Sequence, residues 1–107
     1  MMVKSIVEID NEGVWPTHDL CCPKCGGAHL HHELVVVSQR FEDEDTCLQV
    51  SVGNRQCSVS EESNNLNPSS RRHGLSIRFW CEICPAKPKL SIAQHKGSTE
   101  MYWETDQ

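Results

Sequence analysis

Two short cysteine clips constrain this chain more than any other feature. They are Cys22-Pro23-Lys24-Cys25-Gly26 and Cys81-Glu82-Ile83-Cys84, with 55 residues between Cys25 and Cys81. A tight turn carrying two thiols at this spacing aims both sulfurs at one point. Two such turns offer four sulfurs at the corners of a tetrahedron, which is the ligand set of a structural zinc site. The spacing therefore predicts one structural Zn2+ held by Cys22, Cys25, Cys81 and Cys84, with the fold closing on the ion. Iron would use the same four sulfurs. Cys21 is an alternative to Cys22, because three residues between ligands is also a spacing that metal sites tolerate. Pro23 directly after Cys22 suits the tight knuckle and favours Cys22.

Composition gives the metal a reason to be there. The chain has 107 residues and only 37% hydrophobic ones. That is one domain by length, spanning 1–107, with a thin core. Small domains with thin cores need a staple. A structural zinc contributes roughly 10–16 kcal/mol to folding, more than such a core leaves as net stability. A disulfide scaffold is the other use of seven cysteines. The odd count and the close pairs argue against it. The N-terminus, Met1-Met2-Val3-Lys4-Ser5-Ile6, has no apolar run of the signal-peptide kind, and no segment approaches the ~20 apolar residues of a membrane helix. A cytoplasmic protein with no membrane contact is the expectation.

The formal net charge is −5, which argues against wholesale nucleic-acid binding. Its distribution is uneven. Residues 71–96 carry Arg71, Arg72, Arg78, Lys87, Lys89 and Lys96 against Glu82 alone. This basic strip lies beside the second clip.

Strand signals dominate the rest. Val3 to Ile9 is β-branched and reads as a first strand at an edge, followed by a turn over Asp10-Asn11-Glu12-Gly13. Trp15-Pro16 bars helix before the first clip. Glu33 to Gln39 reads as strand through Leu34-Val35-Val36-Val37. Glu42-Asp43-Glu44-Asp45 is a solvated turn. Thr46 to Val52 alternates, with Leu48, Val50 and Val52 on one face and Cys47, Gln49 and Ser51 on the other. Gly53 to Gly74 breaks the pattern and reads as a long inserted loop. Leu75 to Cys81 is the clearest strand, with Leu75, Ile77, Phe79 and Cys81 on one face and Ser76, Arg78 and Trp80 on the other. Lys89 to His95 places Leu90 and Ile92 inward. His95-Lys96-Gly97-Ser98 reads as a turn, and Thr99 to Glu104 pairs back. The fold class is all-β, a small antiparallel sheet of five or six strands pinned at one end by the metal.

At the clips the sequence resembles the zinc-ribbon (rubredoxin-like knuckle) superfamily, in its small prokaryotic or phage-type members. Cys22-Pro23-Lys24-Cys25-Gly26 matches the first knuckle of that group. Cys81-Glu82-Ile83-Cys84 matches the second, with Pro85 standing where the family places glycine. The resemblance covers the clips and the strands following each. It implies the ribbon fold and the four-cysteine site. Ribbons serve transcription, translation, nucleic-acid modification and protein docking, so it implies no single task.

Other chemistries fit the residues poorly. A thioredoxin-like use of a clip needs a helix N-terminus to lower a thiol pKa, and neither clip continues into a helix. His31-x-Glu33 with the second clip has a superficial likeness to the zinc-deaminase signature, but Trp80 stands where that signature needs proline. His29, His31 and His32 read as a polar strand start, and a histidine replacing one cysteine ligand is the lesser alternative. Cys47 reads as a small apolar strand residue, and Cys57 as a loop cysteine. No Ser/His/Asp set, phosphate-cradling glycine loop or convergent carboxylate pair is present. Four thiolates leave a metal no open position for water, so no enzyme is expected.

The leading expectation is a non-catalytic structural-zinc module that docks onto another protein. Its exposed strand edges, the acidic turn at 42–45 and the 53–74 loop form the contact surface. Exposed edges also allow a homodimer. The alternative is a DNA- or RNA-binding ribbon using the basic strip 71–96. Arg71, Arg72 and Lys96 would contact phosphate, and Arg78 with Trp80 would add a cation and a stacking surface. The bland reading of Trp80 is an apolar patch covered by the N-terminal strand.

Overall fold

The computed structural model describes residues 2–10, 17–42, 44–62 and 66–106. Among the described residues nine strands follow in order: β1 (Met2–Ser5), β2 (Ile9–Asp10), β3 (Asp19–Leu20), β4 (Leu30–Gln39), β5 (Cys47–Gly53), β6 (Gln56–Glu62), β7 (Gly74–Cys81), β8 (Lys89–His95) and β9 (Ser98–Asp106). The chain is all-β, as its alternation predicts. Seven strands form one antiparallel sheet in the order β1-β9-β8-β7-β4-β5-β6, and β2 pairs with β3 as a two-stranded ribbon.

The sheet is wider than the expected five or six strands, and β6 accounts for much of the difference. Residues 56–62 fall inside the stretch read as a long loop over 53–74. They form a hairpin with β5 through Asn54 and Arg55, both at positive φ (51° and 60°). A two-residue turn of this hand fits the twist of the strands it joins, and glycine usually marks it. Arg55 hides the mark. The first strand does lie at an edge, but it is shorter than read. β1 pairs with β9, and the chain then leaves the sheet so that Ile9 pairs with Leu20 in the ribbon. The expected Asn11–Gly13 part of the first turn, Trp15-Pro16 and Asp43 lie outside the described residues.

Burial is uneven across the sheet's two faces. Directly opposed residues share a face, so the register assigns Leu75, Ile77 and Phe79 of β7 to the same side as Leu90, Ile92, Met101 and Trp103. Near the clips this side is the core. Phe79, Leu90 and fully buried Trp103 are covered by Val7, Leu20, Leu30 and Ile77. The Phe79 and Trp103 rings meet edge-on with centroids 5.6 Å apart, a favoured geometry worth about 1 kcal/mol beyond area burial. The ribbon and first clip therefore sit on the sheet as a lid over three large side chains.

Beyond that lid the same face stays open. Val37, Leu48, Val52, Val59 and Met101 are exposed, Val59 at 67%. The opposite face is the buried one over β4, β5, β7 and β8. It buries Val36 and Cys47 among small or internally paired groups, Ser38, Ser76, Ser91 and Ala93, with Gln49 Nε2 donating to Ser38 Oγ at 3.2 Å. In β5 the apolar set Leu48, Val50 and Val52 thus faces outward, while Cys47 and Gln49 are buried.

Candidate metal centre

The four-cysteine cluster forms where three pieces of backbone end together. β4 begins at Leu30, which pairs with Cys81 at the end of β7. One step further, the Glu82 N–H donates to the His29 carbonyl at 3.1 Å. The ribbon delivers the first clip from above, anchored by the Cys21 N–H donating to the Glu8 carbonyl at 3.1 Å. Each clip is thus anchored by a backbone hydrogen bond.

The first clip is a tight knuckle. Its Gly26 N–H donates to the Cys22 carbonyl at 2.9 Å, and the Cys22 N–H donates to the Gly27 carbonyl at 2.8 Å. Gly26 adopts φ 79°, which a side chain would strain. The Gly27 N–H points at Cys25 Sγ, 3.4 Å away. In the second clip the Ile83 N–H points at Cys81 Sγ at the same distance of 3.4 Å. That turn closes by a different route, the Cys81 N–H donating to the Ala86 carbonyl at 3.3 Å. Pro85, in the place of a glycine, therefore sits in the turn without displacing either ligand.

Cys22, Cys25, Cys81 and Cys84 place their Sγ atoms within 4.8 Å of one another. Cys22 Sγ lies 3.8 Å from Cys84 Sγ, and Cys25 Sγ lies 3.6 Å from Cys81 Sγ. A tetrahedron of thiolates with metal–sulfur bonds of about 2.3 Å has edges of roughly 3.8 Å. A disulfide needs about 2.05 Å, so these are four separate thiols. The donor set and its spacing fit one tetrahedral ion. Cys21 stands outside the cluster, and so do the histidines, so Cys22 is the member from the first pair.

The thiols are unequal without a metal. The Ile83 N–H, followed by the Cys84 N–H, brings the Cys81 thiol down to about 7. At Cys84 the Ala86 N–H pulls downward, but burial and the sulfurs of Cys25, Cys81 and Cys22 outweigh it and push the thiol up to about 12. Cys25 is raised as well, the Gly27 N–H being outweighed by burial and Cys81. Cys81 ionises most readily, while burial and the neighbouring sulfurs hold the protons on Cys84 and Cys25. A dication removes that conflict.

The five candidate partner-binding residues do not form one strip. Arg71 and Arg72 precede β7, and Lys96 occupies the β8–β9 turn at the same end of the sheet. Arg78 and Trp80 lie toward the other end of β7, next to the metal centre. Trp80 is 40% exposed and stacks on His31 with centroids 4.2 Å apart. His31, not the N-terminal strand, covers it. Several cations are already engaged: Arg72 with Glu42 at 3.1 Å, Lys87 with Glu33 at 3.3 Å and Lys89 with Glu104 at 3.3 Å. The sequence reading missed the pairing of His31 Nε2 with Glu82 Oε2 at 3.1 Å. Only the strand start at Leu30, three residues earlier than read, brings the two together. Cys47 is buried as expected, whereas Cys57 stands exposed on a strand and not in a loop.

The site and sheet define the class: an all-β protein with a four-thiol cluster able to hold one metal ion. No family model, no curated protein and no solved structure matches the chain.

Proposed function

We propose that this protein is a non-catalytic, structural-zinc module of the zinc-ribbon kind, and that it docks onto a protein partner. The observation that carries the docking is the open apolar face of the seven-stranded sheet. Val37, Leu48, Val52, Val59 and Met101 are exposed there, and Val50, Leu75 and Ile92 are half-buried between them. The shared register puts them on one side of six strands. A depression of about 440 Å3 lies among Val37, Leu48, Val50, Leu75 and Ile92. A sheet with one apolar face needs a second layer to bury it. Among the described residues the second layer reaches only as far as the lid over Trp103. Scattered exposed apolar residues are ordinary, but a contiguous patch marks an interaction site. β6 adds the edge of the sheet, a row of backbone groups open to pairing.

The zinc assignment rests on the tetrahedral fit of four thiolates, and a closed site of that kind supports a structural role over catalysis. The split of the basic residues between the two ends of β7 weighs against the nucleic-acid reading as a single track along 71–96. The test is affinity capture from the native host with wild type and with a Val37→Glu/Val59→Glu double variant, both metal-loaded. A protein bound in near-stoichiometric amount by wild type and lost from the variant is the expected result. Equal recovery of partners by both would refute docking through this face.

A further inference from the structure

At the end of the sheet remote from the metal centre, a fixed loop meets a strained turn. The loop is residues 66–73. Asn67 Oδ1 accepts the Ser69 N–H at 3.0 Å, and Asn67 Nδ2 donates to the Arg72 carbonyl at 2.6 Å. Ser69 Oγ accepts the Arg72 N–H at 3.0 Å and donates to the Gln94 carbonyl at 2.9 Å, tying the loop to β8. Ser69 is buried. Arg71 and Arg72 therefore leave a frame that is already ordered.

Opposite them, Lys96 and Gly97 form the two-residue turn between β8 and β9, at φ 49° and 84°. Glycine or asparagine takes the first of these positions at less cost than lysine. An unfavourable residue at such a position points to a use for its side chain. Arg71, Arg72, His95 and Lys96 line one cleft of about 160 Å3 with Ser69 and Glu42. Glu42 engages Arg72 through one guanidinium nitrogen, at 3.1 Å. The carboxylate of nearby Glu44 is turned toward the Phe41 N–H at 3.4 Å. Among the described residues, neither Arg71 nor Lys96 has an ion-pair partner. Three permanent cations thus line a small cleft with one carboxylate.

We propose that this cleft is a binding site for a phosphate group. The guanidiniums match the oxygens of a phosphate in pairs, and the ammonium adds a point charge from the other side. Pre-ordering of the loop lowers the entropy lost on binding. The site is remote from the metal centre, and of its lining only Gln94 is shared with the depression on the open apolar face. The eight residues of β7 hold it roughly 26 Å from the clips at ~3.3 Å per residue.

The test is an NMR titration of the metal-loaded, 15N-labelled protein with inorganic phosphate, with sodium chloride holding ionic strength constant. Saturable shifts at the amides of Arg71, Arg72, Lys96 and Gly97 are expected. Lys96→Asn suits the turn better than lysine, so it should fold at least as stably and bind phosphate at least about tenfold more weakly. Arg71→Gln should lose a similar factor. Shifts that chloride reproduces, or affinity unchanged in both variants, would overturn the site. A short single-stranded oligothymidylate then separates the sources. Its displacement of phosphate from the same amides assigns a diester backbone. Saturable phosphate binding that it fails to disturb assigns a free or monoester phosphate.

Discussion

Cys22 Sγ and Cys84 Sγ lie 3.8 Å apart although 62 positions separate them in the chain. Closing a loop of that length costs conformational entropy before any contact rewards it. Little else at this end repays the cost, because the core beneath is three large side chains under a two-stranded lid. A metal ion held by the four thiols, as proposed, would make the closure favourable.

Removing one ligand should therefore unfold the domain. Cys84→Ser is expected to forfeit most of a metal contribution of roughly 10–16 kcal/mol, against a net stability of about 5–15 kcal/mol. Cys57→Ser is the control. Its thiol is exposed on the edge strand β6, and a change within about 0.5 kcal/mol is expected. Circular dichroism melts of both variants check this. Equal melting temperatures for Cys84→Ser and wild type would refute it.

Metal affinity should rise with pH. In the metal-free site Cys84 sits near 12, and Cys25 is raised above its ordinary 9.0. Both keep their protons at neutral pH and must release them to the ion. Cys81, near 7, is half ionised there and releases less. The bound form carries fewer protons than the free form. Acid therefore favours the free form, and base favours the bound form until about pH 12, where the last thiol ionises unaided. Chelator competition at about pH 6 and about pH 8 should give tighter binding at the higher value, with proton release visible as a buffer-dependent heat.

The loop that frames the basic cleft depends on Gly74. A Cβ there would collide with Asn67 Oδ1 and come within 2.8 Å of Pro68 Cδ. Asn67 Oδ1 is the acceptor that holds the Ser69 N–H, so the loop cannot yield without losing that bond. Gly74→Ala is expected to destabilise the fold by about 1–3 kcal/mol while leaving metal content unchanged. A shifted urea midpoint at constant metal stoichiometry is the readout. An unchanged midpoint would mean that the loop is not the ordered frame described.

The clustering of Cys22, Cys25, Cys81 and Cys84 was legible in the sequence because the signal is local: two thiols, a fixed spacing, and a proline that favours Cys22 over Cys21. β7, β8 and β9 were legible because larger apolar residues recur at every second position along them: Leu75, Ile77 and Phe79, then Leu90 and Ile92, then Met101 and Trp103. β6 was not, because its alternation is Cys57 and Val59 against serines, and Arg55 occupies the turn position where glycine would have announced a hairpin. The basic residues were grouped by nearness in sequence. An extended strand undoes such grouping, and β7 separates Arg72, which precedes it, from Arg78 and Trp80 toward its other end. The open face was hidden for a related reason. Leu48, Val50 and Val52 alternate like a core strand, and periodicity says which residues share a side but not whether anything covers it.

Metal stoichiometry followed through chelation tests the central claim most directly. Purified protein should carry one zinc per chain, and stripping it under reducing conditions should abolish the β-sheet circular dichroism signal, with recovery on adding one equivalent of Zn2+. Metal-free protein that keeps its native spectrum and melting temperature would contradict the account.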